Sequence, residues 1–142
     1  MKLLIAVDGS KASEAAVKFA AKLCADMTGP NHITLITVQD DTALKLFKKY
    51  TQKGVVDDYL REECDKNLAW SIRYLNKVNL HHDMVIKWGN PSKQIINEAK
   101  NGGFDLLIMG AKGRSVWADH LMGSVAQRVT AVSKVPVVIV KN

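Results

Sequence analysis

Phe104-Asp105-Leu106-Leu107-Ile108-Met109-Gly110-Ala111-Lys112-Gly113-Arg114-Ser115-Val116-Trp117-Ala118-Asp119-His120-Leu121-Met122-Gly123-Ser124 is the stretch on which the fold turns. Leu106–Met109 is a short unbroken apolar run, the pattern of a strand buried on both faces. It runs straight into glycines spaced Gly, two residues, Gly, nine residues, Gly-Ser. A helix is expected from about Ser124, with Val125, Val129 and Val132 facing inward. Glycines in such a loop permit positive φ and let a backbone approach a ligand closely. The free N–H groups and dipole of the next helix favour phosphate, and the Ser124 hydroxyl adds a donor. Lys112 and Arg114 either neutralise phosphates or face water as ordinary loop charges. The spacing alone equally allows a bare turn at Gly110 and Gly113 and a simple helix start at Gly123. The chain contains neither GxxxxGK[ST] nor a GxGxxG after a strand, so it has no P-loop and no dinucleotide fingerprint.

Working outward, strand-like and helix-like runs alternate. Lys2–Val7 is a second continuous apolar run; Gly9-Ser10 follows as a turn and N-cap, then Ala12, Ala15, Ala16, Phe19 and Leu23 at helical spacing, stopped by Thr28-Gly29-Pro30. His32–Val38 is a strand, and Leu44, Leu46, Phe47 and Tyr50 suggest a short amphipathic helix before Gly54. Leu60, Cys64, Leu68, Ile72 and Leu75 mark a clearer helix, and Met84–Trp88 a third strand. Asn90 suits an N-cap and Pro91 the first helical position, with Ile95, Ile96 and Ala99 as the apolar face and Asn101-Gly102-Gly103 as the stop. Val135–Val140 is the last strand, and Pro136 near its start predicts an edge position. Repeated β-α units imply a parallel sheet with helices on both faces, in one domain over residues 1–142. Ligands of such sheets bind at the carboxyl ends of the strands where the winding reverses, so Asp8 and Gly110 share a crevice if strands one and four are neighbours.

Charge is distributed unevenly. Residues 1–71 carry ten Lys/Arg and ten Asp/Glu, whereas residues 72–142 carry ten and four, so the net +6 belongs to the half holding the glycine loop. Such a field concentrates anionic ligands. The basic residues are scattered without interleaved aromatics, which argues against nucleic acid. No apolar run approaches the roughly 20 residues that span a bilayer, and Leu3–Val7 is too short for a signal-peptide core, so a cytoplasmic protein is expected. Cys24 and Cys64 lack CxxC pairing and read as small buried hydrophobes.

Other residues weigh less. Asp8 either caps the first helix or meets a ligand, and contact with phosphate needs Mg²⁺ or Mn²⁺ as a bridge. Trp117 more often packs on apolar surface than closes over a nucleotide. His120 lacks an orienting carboxylate beyond its neighbour Asp119, so a general base is not indicated. His81-His82 reads as a solvated turn, and Lys45, Lys48, Lys49 and Lys53 as a solvated face or a partner patch.

These elements together resemble the universal stress proteins over nearly the whole chain. The resemblance rests on Val7-Asp8-Gly9-Ser10, the strand ending at Val38, Gly89-Asn90-Pro91, residues 104–110, the full Gly-2x-Gly-9x-Gly-Ser pattern, and Val135-Pro136-Val137-Val138-Ile139-Val140. It implies a Rossmann-like, adenine nucleotide α-hydrolase-like α/β fold, a five-stranded parallel sheet in the order 3-2-1-4-5. Members that keep the glycine pattern bind ATP. By that resemblance the nucleotide meets Ala6, Val7 and Asp8 on one strand end, the Val38 backbone at the adenine edge, and Met109, Gly110, Lys112, Gly113 and Arg114 on the other; Gly123, Ser124 and Val125 hold phosphates. Asp8 would serve the ribose or a phosphate-bound Mg²⁺ or Mn²⁺, and Val135–Val140 would pair two copies into a homodimer. The implied function is ATP or ADP binding in a stress-response or signalling role. The alternatives are a slow ATPase, a nucleotide-free dimeric interaction protein and, from the sheet alone, a flavin-binding domain. Residues 39–56 match the family least.

Overall fold

The computed structural model describes residues 1–40, 42, 45, 54–114 and 121–142. Its strands are β1 (Lys2–Ala6), β2 (His32–Gln39), β3 (His82–Trp88), β4 (Leu106–Gly110) and β5 (Val137–Val140). Its helices include α1 (Lys11–Asp26), α2 (Val55–Lys77), α3 (Pro91–Asn101) and α4 (Ser124–Val132). All four strand pairings are parallel, and the order is β3-β2-β1-β4-β5. The central strands β1 and β4 carry the unbroken apolar runs, and β2 buries Thr34 and Thr37 among its apolar residues, because both faces of each strand are covered. Leu3, Leu4, Ile5, Leu107 and Ile108 are wholly buried.

Alternate residues feed two cores. Leu3, Ile5, Val7, Ile33 and Leu35 pack with α1 and α2. Leu4, Ala6, Ile36, Leu107 and Met109 pack with α3 and α4. The expected caps form: Ser10 Oγ accepts from Ser13 N at 3.1 Å, and Asn90 Oδ1 accepts from Lys93 N at 3.0 Å with Pro91 at the helix start.

Four sequence expectations shift. β3 starts at His82, two residues before Met84, because His82 and Asp83 still pair with Ile33 and Thr34. β5 starts at Val137, after Pro136, which has no N–H to give; only its carbonyl joins the ladder, accepting from Leu107 N at 2.9 Å. β5 lies at the sheet edge, as Pro136 predicts. The buried face of α1 is Ala12, Ser13, Ala16, Val17, Ala20, Ala21 and Cys24, while Phe19 is exposed. That helix lies too close to the sheet for a large ring: a Cβ on Gly110 would stand 2.6 Å from the Ala12 backbone. On α4, Ala126 and Val129 are buried but Val132, in the last turn, is exposed. The helix suggested by Leu44, Leu46, Phe47 and Tyr50 lies outside the described residues, as do Lys48, Lys49 and Lys53.

Candidate functional site

The winding reverses at β1, with β2 on one side and β4 on the other. Leu3, Leu4 and Ile5 pair with Leu106, Leu107 and Ile108, so the loops after β1 and β4 leave the sheet side by side. Beyond these carboxyl ends opens a cleft whose empty space, the open solvent at its mouth included, is about 710 Å³. Ala6, Val7 and Asp8 line it from β1, Val38 from β2, and Met109 and Gly110 from β4. Lys112 and Gly113 follow on the glycine loop, and Gly123, Ser124 and Val125 at the start of α4. Of the residues expected to meet the nucleotide, Arg114 alone is absent from this lining.

Each loop is held locally. Asp8 Oδ1 accepts from Ser10 N at 3.0 Å, closing the turn into α1. Its other oxygen, Oδ2, lies 3.0 Å from where a Cβ on Gly113 would stand, so a side chain at residue 113 would press on the carboxylate. Gly9 has φ +78°, a conformation that suits glycine. Gly110, Gly113 and Gly123, by contrast, have no positive φ. Gly110 and Gly113 are required by close approach rather than by backbone handedness, and the Gly110 approach is to Ala12, not to the cleft. The base of the glycine loop is pinned by Gly123 N to Ala111 O and Ala111 N to Val140 O, both 2.8 Å.

The start of α4 differs from those of α1 and α3. Its N-cap is Gly123, φ −62° and ψ 151°, and among the described residues no side chain caps the helix start. The first-turn N–H groups there, beside the Ser124 hydroxyl, belong to residues that line the cleft, and they carry the positive end of the helix dipole.

Arg114 turns the other way. Its Nη1 donates to Asn67 Oδ1 on α2 at 2.9 Å and lies 4.0 Å from Glu63 Oε2. A guanidinium satisfied by a neighbouring helix is not aimed at phosphate. The cleft also has walls that the sequence did not single out: Ser13, Ile36, Pro91, Ile95 and Ala126. Ile95 carried only a helix-period signal, which marks a buried residue without saying that its neighbour is a ligand, and Ala126 was not singled out at all. Pro91 carried a helix-start signal, which likewise places it beside a strand end and no further.

Cleft electrostatics are simple. Asp8 and Lys112 are its ionisable lining residues among those described. No described group of three His, Cys, Asp or Glu residues is arranged to hold a metal ion. A cation here would rest on Asp8 and on oxygens brought by a ligand, a pattern that suits Mg²⁺. His82 Nδ1 lies 3.0 Å from Leu80 O, and His32 Nε2 lies 2.8 Å from Asp83 Oδ2, far down the amino ends of the strands. Cys24 and Cys64 are buried and free, and burial pushes both thiols up, as expected of inert core residues. Trp117 and His120 lie outside the described residues.

A parallel sheet with a cleft at its reversal and an uncapped helix start on its wall defines an α/β ligand-binding domain. The family model described as Universal stress protein family matches residues 1–141, and the chain belongs to that family. Universal stress protein YxiE of Bacillus subtilis is 27% identical over 149 residues, covering 99% of this chain and 98% of that one. The solved structure of MJ0577 of Methanocaldococcus jannaschii superposes with a TM-score of 0.85 at 26% identity, covering 99% and 95% of the two chains. A universal stress protein family protein of Arabidopsis thaliana, solved with AMP bound, shares the fold: TM-score 0.69, 19% identity, 100% and 92% covered. No described helix is long and apolar enough to cross a membrane.

Proposed function

We propose that the cleft binds an adenine nucleotide, ATP or ADP, and that occupancy serves a cytoplasmic stress-response or signalling role. The observation that carries this is the uncapped start of α4, at Gly123-Ser124, set in the wall of a cleft at the sheet's reversal. Unsatisfied N–H groups at the positive end of a helix seek an anion, and phosphate is the fitting one. Ile36, Val38 and Ile95 add apolar lining to the same cleft, which suits the face and edge of a purine. AMP in the Arabidopsis relative supports the same ligand class. Asp8, in the same lining, would serve a ribose hydroxyl or a Mg²⁺ or Mn²⁺ carried on the phosphates. Lys112 adds positive charge at the phosphate end.

Hydrolysis is the second activity to measure. Among the described lining residues only the Asp8 carboxylate offers a base for water, which favours binding over turnover. Self-association is assigned to β5. Its residues Val137–Val140 are uncharged on an open edge, whereas the other edge, β3, carries Asp83 and Lys87.

The test begins with protein purified without added nucleotide. Denaturation, chromatography and mass analysis identify any released ligand. AMP, ADP and ATP are then titrated by calorimetry with and without Mg²⁺. Released or titratable adenine nucleotide is expected. Flat titrations with all three, on folded protein, would reject nucleotide binding and leave a nucleotide-free interaction protein. An Asp8→Ala variant is expected to lose more affinity with Mg²⁺ than without; equal loss would assign Asp8 to the ribose.

A further inference from the structure

We infer that Asn67 on α2 is a positioning residue for the adenine-nucleotide cleft, acting through Arg114 and Gly9 without touching the ligand. The inference rests on the nucleotide reading above. α2 does not line the cleft, and Asn67 is nevertheless a buried polar residue, 6% exposed, at the point where both site loops meet that helix. A guanidinium has only donors, so the Asn67 amide presents its oxygen, and Arg114 Nη1 donates to it at 2.9 Å. The same oxygen lies 3.1 Å from where a Cβ on Gly9 would stand, and the Asn67 Cα lies 3.3 Å from it. One amide therefore touches the loop after β1 and the loop after β4.

The contacts close into a ring. Asn67 meets Arg114; Arg114 follows Gly113; Gly113 faces Asp8 Oδ2; Asp8 precedes Gly9; and Gly9 returns to Asn67. Two lining groups of the cleft, Asp8 and Gly113, are thereby clamped from behind at a fixed separation. A site held by such supporting contacts binds more tightly because less ordering is left for the ligand to impose. Charge adds to the clamp, since Glu63 one turn earlier on α2 lies 4.0 Å from the same guanidinium. This arrangement explains why a basic residue in the phosphate loop points away from the phosphate position.

The test uses the full chain and calorimetric titration of ADP. Asn67→Leu removes the acceptor at similar size and is expected to weaken binding by roughly three- to tenfold, the loss typical of one charge-assisted hydrogen bond partly offset by water. Asn67→Asp keeps the acceptor and is expected to bind within about twofold of wild type, by the same reasoning. Because position 67 is buried and its variants risk unfolding, Arg114→Ala, at a side chain 58% exposed, provides the second arm. It is expected to match Asn67→Leu, and the double variant to lose no more than either alone. Non-additivity of that kind marks a shared pathway, which general destabilisation does not produce. Unchanged affinity in folded Asn67→Leu or Arg114→Ala overturns the inference. So does a further loss in the double variant, which would put Arg114 on the phosphates directly. Wild-type protein that binds no adenine nucleotide would instead overturn the nucleotide reading, and this inference with it.

Discussion

The two faces of the sheet are built on opposite terms. On the α1 side, small residues let the helix come down until Ala12 fills the space above Gly110, and Ser10 caps the helix with its own hydroxyl. On the α4 side, the helix starts on Gly123 with no capping side chain, and a cleft lies against that start. α3, on the same face as α4, is capped by Asn90. α2, on the α1 face, likewise starts on a glycine, Gly54, with no side-chain cap among the described residues. A missing cap therefore belongs to single helix starts rather than to a face, and what sets α4 apart is the cleft against its start. A capped terminus satisfies its N–H groups for stability, and an uncapped one at a cleft holds them ready for an anion.

The largest effect is expected where the close face is forced apart. Gly110→Val puts branched carbon within 2.6 Å of backbone that cannot move freely, and a loss of about 3 kcal/mol or more is expected in urea unfolding. A near-neutral variant would show that α1 is not pinned to β4. Gly123→Asp sharpens the contrast between the helix starts. The observed φ and ψ suit any residue, so the aspartate should cap α4 and leave stability unchanged or raised by about 0.5 kcal/mol. ADP affinity should fall by about a hundredfold or more, since a fixed carboxylate takes the anion's place. Retained affinity would mean that the phosphates lie elsewhere.

Removing a resident cap is milder. Ser10→Ala should cost about 1 kcal/mol, with ADP affinity changed far less than by Gly123→Asp. A large affinity loss would tie the α1 start to the ligand as well.

The smallest effect concerns the core thiols. Burial raises Cys24 and Cys64 above the ordinary 9.0, so in the folded state they stay neutral after the unfolded chain has begun to ionise. Their contribution is complete below that value and fades as pH climbs through it. The urea midpoint should therefore drop between about pH 8 and pH 10, and a Cys24→Ala/Cys64→Ala variant, less stable at neutral pH, should drop less. An identical slope in the variant would assign the pH dependence to other groups.

Much of this was legible before any coordinates. Unbroken apolar runs at Leu3–Val7 and Leu106–Met109 identified buried parallel strands because a two-sided strand has no polar face to show. Ser10, Asn90 and Pro91 announced helix starts because capping is decided within three or four residues. The glycine spacing pointed to the loop that does line the cleft, though for a partly different reason than backbone handedness. Phe19 and Val132 were misjudged as inward, because a helical period names a stripe and leaves its width to the neighbour it meets. At α1 the buried stripe runs through Ala12, Ala16, Val17, Ala20 and Cys24, and Phe19 falls outside it. The charge of Arg114 leaves phosphate and water equally open, and its direction depends on Asn67, 47 residues away in sequence.

The amino-acid sequence by itself determined the β-α alternation, the buried strands, the capped starts of α1 and α3 and the glycine-spaced loop, since each is set by short-range sterics and burial period. The family likeness supplied the strand order. Only the tertiary structure decided which lining residues share one wall, why Gly110 has no room for a side chain, and that Arg114 braces the site from behind. Those are contacts between segments distant in the chain, and their distances exist only once the sheet has brought β1, β4 and α2 together.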